Sequence, residues 1–221
     1  MGSGEDGSNS SGEQVRMEEL SLHILDALVN GVEAGASRMT VFVEEDTRTD
    51  RLRIEITDNG RGMTQDMVAK VLDPFYTTRK TRHVGLGIPL FEAAARQCEG
   101  ALTIRSEAGK GTELIATFRL SHVDRAPLGD IASTILAVLL SERQVDIEYV
   151  HRVDGRTFEF DSAEIRKELG TIPFSHPRVR NFILSFIREG EAKLRQGSLE
   201  EKITGAIEGE VEGKEQSEWR G

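Results

Sequence analysis

Apolar side chains recur at two different spacings along residues 18–122. Between Glu18 and Ala34 they recur every three or four positions and Gly35 follows them, which predicts a helix. In the stretch Leu52–Thr57 apolar and polar residues alternate, as they do in a half-buried strand. Together the two spacings predict a helix over 18–34, strands over 40–44 and 52–57, helices over 64–72 and 89–98, and strands over 101–106 and 113–120. An antiparallel sheet with its helices on one face buries this pattern economically, so we predict an α/β fold, a two-layer α/β sandwich.

The pattern changes after His122. A second group of elements is predicted there, with a helix over 127–143, strands over 145–151 and 157–160, and a helix over 177–194. We interpret residues 123–196 as a small C-terminal α+β domain with a partner-binding or regulatory role. Residues 1–17 and 197–221 have few apolar side chains, so we expect a disordered tail before the first domain and an acidic disordered tail after the second.

The composition limits the possible partners and location of the protein. Its 38 acidic and 28 basic residues give a net charge of −10, which disfavours nucleic acid as a partner. Cys98 is the only cysteine, so no intramolecular disulfide can form and a reducing compartment is favoured. The apolar run Ile131–Leu140 is too short to span a bilayer, and no signal peptide is recognised. We therefore expect a cytoplasmic protein with no membrane span.

Candidate chemistry begins on the first predicted helix. Asp26 and Asn30 are four residues apart, so they share one face of an otherwise apolar segment. An Asn carbonyl oxygen is a hard, neutral ligand that suits Mg²⁺, and a carboxylate one turn earlier can act as a general base. Taken alone, the pair would be interpreted as part of the solvent-exposed polar face of an amphipathic helix.

A second candidate lies directly after the strand predicted over 52–57, in the sequence Asp58-Asn59-Gly60-Arg61-Gly62-Met63. A buried Asp58 can accept a hydrogen bond from the exocyclic amine of adenine, and Gly60 and Gly62 let the backbone approach the ring. A type I′ hairpin turn at Asn59-Gly60 is the structural alternative. The helix predicted after Met63 favours the binding site.

A third region has the features of a phosphate site. No apolar residue occurs between Tyr76 and Val84, and the segment includes Thr77, Thr78, Arg79 and Lys80. Gly85-Leu86-Gly87 then opens a predicted helix, and backbone N–H groups at a helix N-terminus favour anions. A solvated surface loop is the alternative, and the downstream glycines favour the phosphate site.

Four segments in this order resemble the N, G1, F and G2 boxes of the GHKL superfamily: Asp26–Asn30, Asp58–Met63, Asp73–Arg79 and Gly85–Ile88. That superfamily contains histidine kinases, gyrase-type topoisomerases, the large heat-shock chaperone and mismatch-repair ATPases. The resemblance covers residues 18–122 and implies the histidine kinase-like ATPase (Bergerat) fold, with ATP and Mg²⁺ as ligands.

The same resemblance implies roles for individual residues. Asn30 would chelate Mg²⁺, Asp58 would bind adenine, and Met63 would pack on the base. The segment Gly85-Leu86-Gly87 would wrap the phosphates, and Thr112 would join the hydrogen-bond network around adenine through water.

Within the superfamily the chain is most similar to the histidine kinase branch. The segment Asp73–Arg79 looks like the kinase form of its box, and the short spacing from Gly62 to Gly85 leaves no room for the long lid of the chaperone and gyrase classes. Two departures stand out. His83 occupies a position where kinases usually have a glycine, and Asp26 is one methylene shorter than the Glu that serves as base in the ATPase branch.

Three functional hypotheses follow from the resemblance. In the first, the chain is a protein kinase of two-component signalling that transfers the γ-phosphate of ATP to a protein acceptor in trans, because no acceptor-bearing helical hairpin precedes Asp26. In the second, it is an ATP-dependent regulatory switch or slow ATPase that controls a partner protein. Residues 122–130 and 151–156 support the second, since they are similar to stand-alone bacterial ATP-binding proteins encoded near iron-only hydrogenase subunits. The third is an anti-sigma-type serine kinase, which shares the ATP domain but usually ends with it.

Overall fold

A computed structural model gives the fold of residues 19–71 and 87–196. The predicted tails over 1–17 and 197–221, and the basic segment over 76–84, lie outside these ranges. The strands are β1 (Arg38–Asp46), β2 (Arg51–Asp58), β3 (Ala101–Glu107), β4 (Gly111–Arg119), β5 (Asp146–Val153) and β6 (Arg156–Asp161). The helices are α1 (Leu20–Glu33), α2 (Gln65–Val71), α3 (Gly87–Gln97), α4 (Ile131–Leu139), α5 (Ser162–Leu169) and α6 (177–196).

The six strands form one mixed sheet in the order β3-β4-β2-β1-β5-β6. Buried and less buried residues alternate along β1 and β2, because one face of these strands packs in the core and the side chains on the other face are partly exposed. Met39, Val41 and Val43 are almost fully buried on the covered face, as are Leu52 and Ile54 of the neighbouring strand. The predicted two-layer α/β sandwich is therefore confirmed.

Helix α1 lies at the centre of the helical layer, between α3 and α4. On the α3 side the His23 ring stacks on the Phe91 ring, with 4.9 Å between centroids. On the α4 side the Thr134 hydroxyl donates to the Ser21 carbonyl oxygen over 3.3 Å. Helix α4 is apolar on nearly all its faces because it is enclosed on several sides. No helix in the described ranges is long and apolar enough to cross a membrane.

The part of the chain after residue 122 extends this sheet. Strand β5 pairs in parallel with β1, from Arg38 opposite Asp146 to Glu45 opposite Val153, and β6 then pairs antiparallel with β5. The boundary predicted at residue 122 therefore falls within one continuous sheet, and the division into two domains stays a prediction.

Two helices differ from the sequence prediction. Helix α4 is shorter than the predicted span 127–143, because Gly129 has a positive φ of 84° and the Asp130 carboxylate then caps the helix by accepting from Ser133 N–H over 3.1 Å. Helix α5 was not predicted at all. It has only Ile165 and Leu169 as large apolar side chains, so its hydrophobic period is weak.

Candidate nucleotide site

Helix α1 brings the first candidate pair to the start of α3. Asp26 and Asn30 lie one turn apart and both are half-buried. The Asp26 carboxylate lies against Gly87, the first residue of α3. A Cβ added to Gly87 would be only 2.6 Å from Oδ2 of Asp26. The lack of a side chain at Gly87 therefore allows the carboxylate to approach the N-terminus of α3.

Asp58 ends β2 and packs beside the same helix. A Cβ added to Gly31 of α1 would lie 3.3 Å from Cβ of Asp58, so the glycine allows helix and strand to approach closely. Oδ1 of Asp58 accepts the backbone N–H of Gly60 over 2.8 Å. Burial raises the pKa of Asp58 above its usual value, and hydrogen bonds from Gly60 and Thr112 oppose that rise. The carboxylate is thus a partly desolvated hydrogen-bond acceptor at the edge of the helical layer.

The two glycines after Asp58 are each required by the local geometry. Gly60 is buried under α1, where an added Cβ would be 2.9 Å from Cβ of Ala34. Gly62 has a φ of 62°, and an added Cβ would overlap with the carbonyl oxygen of Glu107 on β3. These contacts hold the segment between β2 and α2 tightly against its neighbours.

Met63 and Thr112 are joined by a residue that sequence reasoning missed. The backbone N–H of Met63 donates to Oγ of Ser106 over 2.8 Å, and the hydroxyls of Ser106 and Thr112 are 3.0 Å apart. Thr112 lies directly opposite Asp58 in the β2–β4 pairing. Ser106 and Thr112 are also cross-strand partners, so the predicted hairpin of β3 and β4 could have indicated Ser106.

Asn59 has a structural role within its motif. Its side-chain oxygen accepts the backbone N–H groups of Ser37 over 2.9 Å and Arg38 over 3.0 Å, which ties the end of β2 to the start of β1. The alternative of a type I′ hairpin at Asn59-Gly60 is wrong, because the chain continues into α2 and the neighbours of β2 in the sheet are β1 and β4.

The remaining predicted phosphate contacts lie outside the described residues. These are Thr77, Thr78, Arg79, Lys80, Gly85 and Leu86. Within the described residues, the structure brings together the candidates on α1, at the end of β2, at the start of α3 and on β4.

The oxygen ligands available in this region suit a metal ion that takes few ligands from the protein. Among the described residues, no group of three or more His, Cys, Asp or Glu side chains could hold a metal ion. Mg²⁺ at nucleotide sites is usually held by one or two protein ligands together with substrate phosphates and waters. The half-buried amide of Asn30, with Asp26 one turn earlier, fits that pattern.

Comparison with known proteins identifies the domain that contains these residues. The family model described as histidine kinase-, DNA gyrase B- and HSP90-like ATPase matches residues 14–122. The match includes α1, β2, the start of α3 and β4, which carry the candidate site.

Several relatives have kinase names. Sensor protein kinase FleS of Pseudomonas aeruginosa is 37% identical over 108 residues, which make up 49% of this chain and 26% of that protein. Sporulation kinase C of Bacillus subtilis is 31% identical over 107 residues, which make up 48% of this chain and 24% of that protein. This chain therefore spans about a quarter of the length of these relatives.

Among solved structures, full-length ShkA in complex with AMPPNP is 22% identical, with a TM-score of 0.39 over 48% of this chain and 23% of that chain. The family match, which covers the four motifs and the fold around them, is the stronger finding. Residues 14–122 therefore form a histidine kinase-, DNA gyrase B- and HSP90-like ATPase domain.

Proposed function

We propose that Mg-ATP binds between α1, the end of β2 and the start of α3, and that its γ-phosphate is transferred to a second protein. The observation that supports this most is the convergence of two carboxylates on α1. Asp58 packs beside Gly31, where an added Cβ would lie 3.3 Å from Cβ of Asp58, and Asp26 packs against Gly87, where an added Cβ would lie 2.6 Å from Oδ2 of Asp26. Two acidic side chains that lie far apart in the sequence thus come to the same helix.

The adenine end of the site is proposed to be Asp58 with its neighbours. A carboxylate acceptor pairs with the exocyclic amine of adenine but meets a carbonyl oxygen in guanine, so it selects ATP over GTP. Gly60 and Thr112 hold this carboxylate in place by hydrogen bonds. Met63 is half-buried, its backbone N–H donates to Oγ of Ser106, and its side chain would pack on the base.

The phosphate end is proposed to be Asn30, Asp26 and the N-terminus of α3. Asn30 would contribute its amide oxygen to a Mg²⁺ ion, which when bound would neutralise phosphate charge. Asp26 would accept a proton from the attacking group or orient it. The backbone N–H groups of Gly87 and Ile88 lie in the first turn of α3, ahead of Pro89, where the helix dipole favours the phosphates. Phosphoryl transfer depends mainly on such positioning and charge compensation.

Phosphoryl transfer to a protein acceptor is supported by the names of the relatives. FleS and sporulation kinase C are named as kinases, and the stretches that match this chain are 108 and 107 residues long, about the length of the ATPase domain over 14–122. In the transfer, the bond between the γ-phosphorus and the ADP oxygen would break as a bond to the acceptor side chain forms.

A regulatory switch is the second candidate function, and the sheet itself favours it. Strand β5 pairs with β1, and α4 packs on α1, which carries Asp26 and Asn30. A change in α1 on nucleotide binding would therefore reach the part of the chain after residue 122 directly. A partner such as a redox enzyme, including hydrogenase, would then respond to the nucleotide state.

Incubation of the purified chain and a native extract with γ-labelled ATP tests the proposal. Wild type should transfer acid-labile label to a protein, and Asn30→Ala should not. Asn181→Ala is the matched control, because Asn181 is exposed on α6 and distant in the sequence from the site. Release of label only as free phosphate would favour the switch. Transfer by Asn30→Ala at the wild-type rate would contradict the proposed site.

A further inference from the structure

A buried charged cluster lies where α6 crosses the sheet, apart from the nucleotide site. Its centre is the side chain of His151 on β5, which is 0% exposed. Nδ1 of His151 is 2.9 Å from both carboxylate oxygens of Glu191 on α6. Nε2 is 3.3 Å from Oε1 of Glu45 on β1, an ion-pair contact without hydrogen-bond alignment. One imidazole thus lies between carboxylates from two different elements.

Among the described residues, the charged and titratable groups around this imidazole lie on β5, α6, β1 and the segment between β4 and α4. On β5, the Tyr149 hydroxyl donates to Oε1 of Glu191 over 2.8 Å. On α6, Arg195 lies 3.9 Å from Glu191. Arg125, in the segment between β4 and α4, acts electrostatically on Glu45. Among the side chains described here, His151 is the group in ion-pair contact with the Glu45 carboxylate.

The number of protons on His151 decides whether both carboxylates are satisfied. An imidazolium donates from both ring nitrogens, whereas a neutral imidazole donates from one and presents a lone pair from the other. With the proton on Nδ1, the neutral ring would turn an Nε2 lone pair toward the Glu45 carboxylate. Burial alone lowers the pKa of His151, but the contacts with Glu191 and Glu45 outweigh it and raise the pKa above the usual value.

We propose that His151 is a pH-sensitive clasp, which holds α6 against the sheet when its ring is protonated and loosens the helix when the ring is neutral. Glu191 is the residue through which α6 is held, and Glu45 anchors the ring to β1. Loosening of α6 would also withdraw Arg188 from Asp130, the N-cap of α4, where the ion pair measures 2.7 Å. It would uncover the apolar side chains beneath the helix, among them Ile183 and Ile187.

The direction of the pH effect follows from the raised pKa. A histidine that is more basic in the closed state stabilises that state fully below its unfolded pKa of 6.5, and the stabilisation is lost as the pH rises through the closed-state pKa. Local opening of α6 should therefore increase by up to about tenfold per pH unit between these two values and then level off. Glu45 has a lowered pKa from the same contact, so strongly acidic pH should also weaken the clasp.

The test measures two quantities on the full 221-residue chain. Histidine NMR signals are titrated with pH, and the His151 signal is assigned as the one missing in His151→Gln. Amide hydrogen exchange of residues 177–196 is followed over the same pH range, corrected for the intrinsic exchange rate. The clasp predicts that His151 titrates above pH 6.5 and that protection of α6 falls at the same midpoint. A titration at or below 6.5, or protection independent of pH, would overturn it.

Two variants separate the clasp from a merely structural contact. Glu191→Gln keeps a hydrogen-bond acceptor but removes the charge, so both midpoints should move to lower pH together. Tyr149→Phe removes the hydroxyl that donates to Glu191 without removing either carboxylate, so protection should fall at all pH values with no downward shift of the midpoint. Equal behaviour of the two variants would refute the proposal.

Discussion

Two buried histidines show that the surroundings of a side chain decide its charge. His23 on α1 stacks on the ring of Phe91 with an interplanar angle of 5°, and burial lowers the pKa of His23 to about 4. His151 is as deeply buried, but two carboxylates hold its pKa above the usual value. The apolar helical layer therefore favours the neutral form of the ring, and the carboxylates beneath α6 favour its protonated form.

The buried His23 should make the protein less stable in acid. A histidine with a lowered pKa contributes stability that is complete above its unfolded pKa of 6.5 and is lost as the pH falls toward about 4. In that window one proton changes the free energy of unfolding by up to about 1.4 kcal/mol per pH unit. His23→Leu removes the ring that takes up this proton, so the free energy of unfolding should fall less steeply toward acid pH than in wild type. Denaturant unfolding at a series of pH values measures the two slopes, and equal slopes would contradict a neutral, buried His23.

At the scale of elements, local periodicity was sufficient for most helices and strands. Strand β2 was expected over 52–57 and spans Arg51–Asp58, because its alternation is strict and one face is buried. Helix α5 was missed because its formation depends on the Asp161 cap, which accepts from Ala163 N–H over 2.8 Å, more than on an apolar period. Caps and tertiary contacts of this kind leave weak signals in a sequence.

The tight segment between β2 and α2 gives a prediction at this scale. Gly62→Ala places a methyl group against the Glu107 carbonyl at a positive φ, so it should lower the free energy of unfolding by about 2–3 kcal/mol. Gly109→Ala is the control, since Gly109 has a φ of 82° but no atom within 4 Å of an added Cβ. Its cost should be about 1 kcal/mol, from backbone conformation alone. Thermal or denaturant unfolding compares the two variants. Equal losses of unfolding free energy would mean that Gly62 is not sterically confined.

At the scale of the whole molecule, the pairing of β5 with β1 joins both halves of the chain into one sheet. Sequence reasoning recognised these strands but not their partnership, because a parallel pair between distant segments leaves no local pattern. The motifs of the candidate site were easier to recognise. Its motifs are short and occur in a fixed order, whereas Ser106 contributes only through a cross-strand contact that becomes visible once the β3–β4 register is known.

A continuous sheet predicts cooperative unfolding. Strand β1 links the two parts of the chain, since it pairs with β2 along one edge and with β5 along the other. Differential scanning calorimetry should therefore show one transition in which the calorimetric and van't Hoff enthalpies agree. Two separate transitions would show instead that residues 123–196 unfold independently, as expected of a separate domain.

Calorimetric titration with ATP and GTP, with and without Mg²⁺, tests the assignment of the nucleotide site most directly. Wild type should bind Mg-ATP and prefer ATP over GTP. Asp58→Asn should lose most of that preference, by roughly 1–3 kcal/mol, the usual discrimination energy of a specific hydrogen-bonding contact to a base. Asn30→Ala should lose the dependence on Mg²⁺, and Asn181→Ala should match wild type. Unchanged affinity and selectivity in both site variants would show that the nucleotide binds elsewhere.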